Sequence, residues 1–127
     1  MSNSPVALVR EFHEAFELSI AAQPTTVDPD LAELRKRLLA EEVRELDEAV
    51  ASGDLAAILH ELADVVYVAY GTALTYGLDL DAAVAEVHGA NMTKLGDDGR
   101  PVVRDGKVAK PPGFRPPNIA PLVDHTR

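Results

Sequence analysis

Two short acidic clusters are the residues best suited to chemistry: Glu41-Glu42-Val43-Arg44-Glu45 and Glu61-Leu62-Ala63-Asp64. At about 100° per residue on an α-helix, setting Glu41 at 0° puts Glu42 near 100° and Glu45 near 40°, so all three share one face. Leu39, Val43, Leu46 and Val50 fall at roughly 140–200° in the same projection, giving an amphipathic helix with a carboxylate edge beside its apolar stripe. Around the second cluster, Leu62, Ala63, Val65, Val66, Val68, Ala69 and Tyr70 leave hardly any polar face, so Glu61 and Asp64 are expected to point into protein. A carboxylate taken out of water is neutralised, paired with a base or bound to a metal. Between Glu45 and Glu61 the only basic candidate is His60. A hard, oxygen-ligated cation, Mg²⁺ or Mn²⁺, is the economical explanation. The competing explanation is a solvated face partnered by Arg37 and Arg44, which suits the first cluster better than the second.

These clusters need two helices held side by side. Asp28-Pro29 is a helix start, with an N-cap residue and then proline where its missing N–H does no harm. The helix then spans about 29–51. Ser52-Gly53-Asp54 ends it and caps the next, which spans about 55–76 and stops at Gly77. So short a link makes the pair antiparallel. Glu45 is eight residues before Gly53 and Glu61 eight after it, so equal rise per residue brings them to matching heights. A first helix is expected over 5–20 from Pro5, Val6, Leu8, Val9, Phe12, Phe16 and Ile20, with His13 on its edge as a surface or packed side chain. Residues 21–27 read as a loop. A fourth helix begins near Asp79 or Asp81 and runs to about Lys94, with Asn91 and Lys94 on one face. Beyond it, Asp98-Gly99 and Asp105-Gly106 flank Pro101-Val102-Val103, predicting a small hairpin or irregular arm. Pro111, Pro112, Pro116, Pro117 and Pro121 exclude regular helix to the end.

The pattern Glu-Glu-x-x-Glu followed by Glu-x-x-Asp resembles the metal signature of the MazG-like all-α nucleoside triphosphate pyrophosphohydrolases, whose relatives include dimeric dUTPases and phosphoribosyl-ATP pyrophosphohydrolase. The similarity continues through His88-Gly89-Ala90-Asn91-Met92-Thr93-Lys94 and Gly106-Lys107-Val108-Ala109-Lys110-Pro111 and covers roughly residues 8–118. It implies a four-helix MazG-like bundle with an irregular C-terminal arm from about residue 95. It also implies Mg²⁺-dependent attack at the α-phosphorus of a nucleoside triphosphate, releasing monophosphate and pyrophosphate, with dUTP or a non-canonical nucleotide as a house-cleaning substrate. Mn²⁺ is expected to substitute for Mg²⁺. Glu41, Glu42, Glu45, Glu61 and Asp64 are the expected metal ligands, and Glu42 is the candidate to orient or deprotonate water. Asn91 and Lys94 are expected to contact the sugar or phosphates, with Lys107 and Lys110 as further candidates. Phosphoribosyl-ATP is the alternative substrate. An alternative of another class is a non-catalytic acidic helical oligomerisation module, which has no reason to bury Glu61 and Asp64.

Composition narrows the field. A chain of 127 residues suits one domain with a real core. Cysteine is absent, which removes disulfides, thiolate zinc sites and cysteine nucleophiles. Residues 1–90 carry 5 Lys/Arg against 17 Asp/Glu, while residues 91–127 carry 7 against 4. An acidic body argues against a nucleic-acid surface, and the basic tail suits phosphates. No glutamate has a histidine three positions on, as the ferritin-like di-iron site requires, and no phosphate loop, calcium loop or nucleophile elbow occurs. The apolar run after Asp64 looks too short and polar to span a bilayer, so a cytoplasmic protein without membrane partners is expected. Residues 65–76 are apolar nearly all round, which predicts at least a dimer, and the family resemblance implies a homodimer or homotetramer.

Overall fold

The computed structural model describes residues 3–124. They form two compact units that divide between Leu78 and Asp79. The first contains α1 (Pro5–Ala15), α2 (Pro29–Ser52) and α3 (Leu55–Tyr76); the second contains α4 (Leu80–Met92), β1 (Val103–Arg104), β2 (Lys107–Val108) and α5 (Ala120–Val123). The expected four main helices and irregular arm are therefore present.

In the first unit α3 packs against both α2 and α1. The turn between α2 and α3 uses the anticipated residues. Gly53 takes the left-handed conformation at φ 72°, and Asp54 Oδ1 accepts from the N–H groups of Ala56 and Ala57 at 3.0 and 3.4 Å. Helix α2 does begin at Pro29, but the Asp28 side chain makes no capping bond.

Helix α1 stops at Ala15 rather than reaching Ile20. Its end is a Schellman closure: Leu18 N–H donates to His13 O at 2.8 Å and Glu17 N–H to Glu14 O at 3.4 Å, with Glu17 at φ 57°. The usual glycine is missing, so nothing in the sequence marks the stop. The following loop is fastened to the end of α3, where Ala21 N–H donates to Leu74 O and Thr25 N–H to Tyr76 O, both at 3.0 Å. Gly77 closes α3 at φ 70°, and a Cβ there would collide with the Gln23 carbonyl.

The inward face of α2 differs from the apolar projection. Val43 and Val50 are 51% and 57% exposed, whereas Glu42 and Glu45 join Leu38, Leu39, Leu46 and Ala49 on the more covered side. The carboxylates thus occupy the seam, and two valines are displaced outward. His13, expected on an edge, is 2% exposed; its Nδ1–H donates to Ser19 O at 3.1 Å, and burial, ahead of the nearby Arg35 charge, lowers its pKa. Arg35 is also buried. Its Nε–H donates to Thr72 Oγ1 at 3.2 Å and its Nη2–H to Val68 O at 3.0 Å. These two side chains lie over Gly71, where a Cβ would sit 2.5 Å from Arg35 Nη2 and 2.8 Å from His13 Nε2.

Taken as a whole helix, α3 is long and apolar enough to cross a membrane, at 22 residues and mean hydropathy 1.2. The sequence expectation differs because it counted only the run after Asp64. In the fold, α3 turns Glu61, Asp64 and its C-terminal half towards α1 and α2 and leaves Leu55, Leu59, Leu62 and Val66 exposed.

In the second unit Asp79 caps α4 through Ala82 N–H, and α4 ends at Met92, so Asn91 is helical and Lys94 lies in the following turn. The hairpin forms around Asp105-Gly106, pairing Val103 with Val108. Pro121 does not prevent one short turn of helix, α5, because it stands in the first turn, where no intrahelical N–H is required.

Candidate metal centre

The antiparallel α2 and α3 bring Glu42, Glu45 and Glu61 together. One carboxylate oxygen from each lies within 4.8 Å of the others, and a second group of the same compactness joins His60, Glu61 and Asp64. Glu61 belongs to both groups. Its Oε2 is buried from solvent with no hydrogen-bond partner among the described residues, a condition that is costly for an oxygen carrying negative charge. The Glu42 carboxyl is pushed up to about 7, first by burial, then by the Glu45 charge, then by a hydrogen bond shared with Glu61, with the Asp64 and Glu61 charges adding. Two carboxylates both accept, so only a proton or a cation can bridge them.

No lysine or arginine among the described residues pairs with these acids. Arg44 reaches Glu48 at 3.8 Å, and Lys36 reaches Glu33 at 3.1 Å. The solvated-face explanation therefore lacks its partners. His60 Nε2 does lie 3.2 Å from Asp64 Oδ2, but on an exposed edge. All the acidic donors are hard oxygens, and Glu61, which carries the orphaned oxygen, belongs to both groups. The set fits a divalent cation.

The structure does not treat the expected ligands alike. Glu42, Glu45, Glu61 and Asp64 fall in the two groups, whereas Glu41 is exposed and in neither. On the helix Glu42 and Glu45 are one turn apart and face α3, while Glu41 starts the outward side. A cleft of about 420 Å³ opens beside the group, lined by Glu45, Glu48, Ala49, Ala57, His60 and Glu61.

The remaining expected residues, Asn91, Lys94, Lys107 and Lys110, all belong to the second unit. Asn91 and Lys107 are exposed, with Lys107 on β2. Lys94 and Lys110 instead each lie against the Phe114 ring, with Nζ 5.8 and 5.3 Å from its centroid. Sequence reasoning passed over Phe114 and the buried His13–Arg35 pair. The signal for Phe114 was its place four residues after Lys110, in a turn set by Pro111-Pro112-Gly113.

With this geometry in hand, the class is that of a helical pyrophosphohydrolase with an acidic cluster that fits a divalent cation. The sequence profile of the phosphoribosyl-ATP pyrophosphohydrolase family matches residues 9–91, well over half of the chain. The chain belongs to that family, within the MazG-like all-α pyrophosphohydrolase superfamily. It is also similar to an uncharacterized protein of Acanthamoeba polyphaga mimivirus, 41% identical over 54 residues, or 42% of this chain. That stretch is 22% of the viral protein's length.

Proposed function

We propose that this chain hydrolyses a ribo- or deoxynucleoside triphosphate to the monophosphate and pyrophosphate, with Mg²⁺ as cofactor and Mn²⁺ able to replace it. The substrate in this proposal is dUTP or a non-canonical nucleotide, in a house-cleaning role. The reading is carried by one observation: a compact carboxylate group in which Glu61 Oε2 is buried and unpartnered. Glu45, Glu61 and Asp64 are the ligands in this proposal, with Glu42 beside them.

A bound divalent cation supplies neutralisation of phosphate oxygens and acidification of water. Glu42 then serves as the base. Its carboxyl lies beside Glu45 and Glu61 in the same compact group, which suits it to take a proton from a water held there. Water forms the new bond at the α-phosphorus, its proton goes to Glu42, and the bond to the β-phosphate oxygen breaks to release pyrophosphate. Asn91, Lys94 and Lys110 are assigned to the sugar and phosphates.

The test is pyrophosphate release across a panel of ribo- and deoxynucleoside triphosphates and phosphoribosyl-ATP, with Mg²⁺ and with excess EDTA. Metal-dependent pyrophosphate release from a nucleoside triphosphate is expected, and orthophosphate as the product overturns the assignment. Strong preference for phosphoribosyl-ATP, the reaction in the family's name, would replace the proposed substrate.

The working unit is proposed to be at least a dimer. Leu55 and Leu59 are 80% and 69% exposed, and an apolar groove of about 360 Å³ between α1 and α3 is lined by Pro5, Leu8, Leu59, Leu62, Val66 and Tyr67, among others. Apolar surface of this extent is seldom left open to water. Light scattering is expected to give at least twice the chain mass of 13.6 kDa, and a fully active monomer would refute this.

A further inference from the structure

We propose that Phe114 is a positioning residue that holds Lys94 and Lys110 as a two-cation seat for a phosphate chain. On the pyrophosphohydrolase reading, on which this inference rests, that chain belongs to the substrate. The two lysines come from different segments: Lys94 from the turn after α4, Lys110 from the arm. Their ammonium groups lie 5.8 and 5.3 Å from the centroid of one ring. A lysine ammonium on its four-carbon stem is ordinarily free to wander. The negative face of an aromatic ring attracts it and narrows that freedom.

The main chain that carries the ring is held by hydrogen bonds. Phe114 N–H donates to Pro111 O at 3.0 Å, closing the Pro111-Pro112-Gly113-Phe114 turn. The next residue is tied to the helix end, where Arg115 N–H donates to Thr93 Oγ1 at 2.8 Å while the Thr93 hydroxyl donates to Ala90 O at 2.7 Å. Further along, Asn118 N–H donates to Glu86 Oε1 at 2.8 Å. The arm is thus pinned to α4 on the C-terminal side of the ring, within one residue of it and again at Asn118.

What is left over is charge. Neither Lys94 nor Lys110 has a carboxylate partner among the described residues, although the chain carries 21 acids against 12 basic residues. A phosphate chain carries several anionic oxygens, so it can take a charge-assisted contact from each ammonium. Lys107 is exposed on β2 and rests on no ring, so it is left out of the seat.

The test uses the full chain with EDTA and two probes, inorganic pyrophosphate and an α,β-imido nucleoside triphosphate, both measured by calorimetry. Phe114→Leu keeps apolar bulk and removes the π face; it is expected to weaken both probes by about 5- to 10-fold. Phe114→Trp is expected to restore them. Lys94→Met/Lys110→Met should lose at least as much, and adding Phe114→Leu to that pair should cost less than about 2-fold more, because the ring then has nothing to hold. In the Mg²⁺ assay Phe114→Leu should raise KM with kcat nearly unchanged.

Wild-type pyrophosphate binding in Phe114→Leu, or in the lysine pair should Phe114→Leu fold poorly, overturns the proposal. Loss confined to the nucleotide probe also overturns it, since the ring would then serve the base. Additive losses do so as well. Because the pyrophosphate arm needs no turnover, an inactive chain that still shows these losses separates failure of the proposed reaction from failure of the seat.

Discussion

The helix pair α2–α3 carries two polar clusters of opposite kind within one unit. Around Gly71, Arg35 and His13 are buried, yet each donor named there ends on an oxygen: Val68 O, Thr72 Oγ1 or Ser19 O. Around Glu61, four carboxylates gather with a buried oxygen that nothing among the described residues satisfies. A polar group that is buried and paired is architecture, and one that is gathered and unpaired awaits something from outside. The same two helices therefore hold a finished cluster and an unfinished one.

The largest expected effect tests the unfinished end. Glu61→Gln and Asp64→Asn should each lower metal-dependent turnover by roughly two orders of magnitude or more and abolish Mn²⁺ binding in calorimetry. The metal-free fold should melt no earlier than the wild type, because a repelling charge has been removed. An earlier melt would mean the acids hold the helices together, and the contrast would collapse.

The finished end should behave in the opposite way. Gly71→Ala places a methyl group against two buried side chains, and about 1–3 kcal/mol of stability should be lost in urea titrations. A neutral result would show that Arg35 and His13 can move aside, and that this end is looser than its hydrogen bonds suggest.

A smaller effect follows from His13. Burial lowers its pKa in the fold below the usual 6.5, so the unfolded chain binds more protons between those two values. Stability from this group is fully present above about pH 6.5 and is lost as pH falls through that value towards the folded pKa. His13→Asn should flatten this part of the pH–stability curve; an unchanged slope would assign it to other groups. The smallest effect lies outside both clusters. Glu17 occupies a left-handed position without being glycine, and Glu17→Gly should raise stability by about 0.5–1 kcal/mol without altering metal binding.

The sequence made the α2–α3 turn and the pairing of Glu45 with Glu61 readable, because Gly53 and Asp54 are residues with a local mechanism and the eight-residue spacings are arithmetic. Other features lacked such a marker. The end of α1 was hidden because Glu17 does a glycine's task. The inward face of α2 was misjudged because a hydrophobic projection ranks Val43 and Val50 above glutamates, whereas the fold gathers Glu42 and Glu45 at the seam with α3. Glu41 shares the acidic run with Glu42 but lies on the outward side, a distinction that needs the neighbouring helix to define. The Arg35–His13 cluster joins residues from three segments far apart in sequence, which no short window can reveal.

Residues 16–28 look like a plain connector, yet two of their N–H groups stand where a further helical turn of α3 would have placed its own. Their spacing is matched to the last carbonyls of that helix. One residue inserted between Ala21 and Thr25 would put both donors out of step at once, so this stretch should tolerate changes of side chain far better than changes of length.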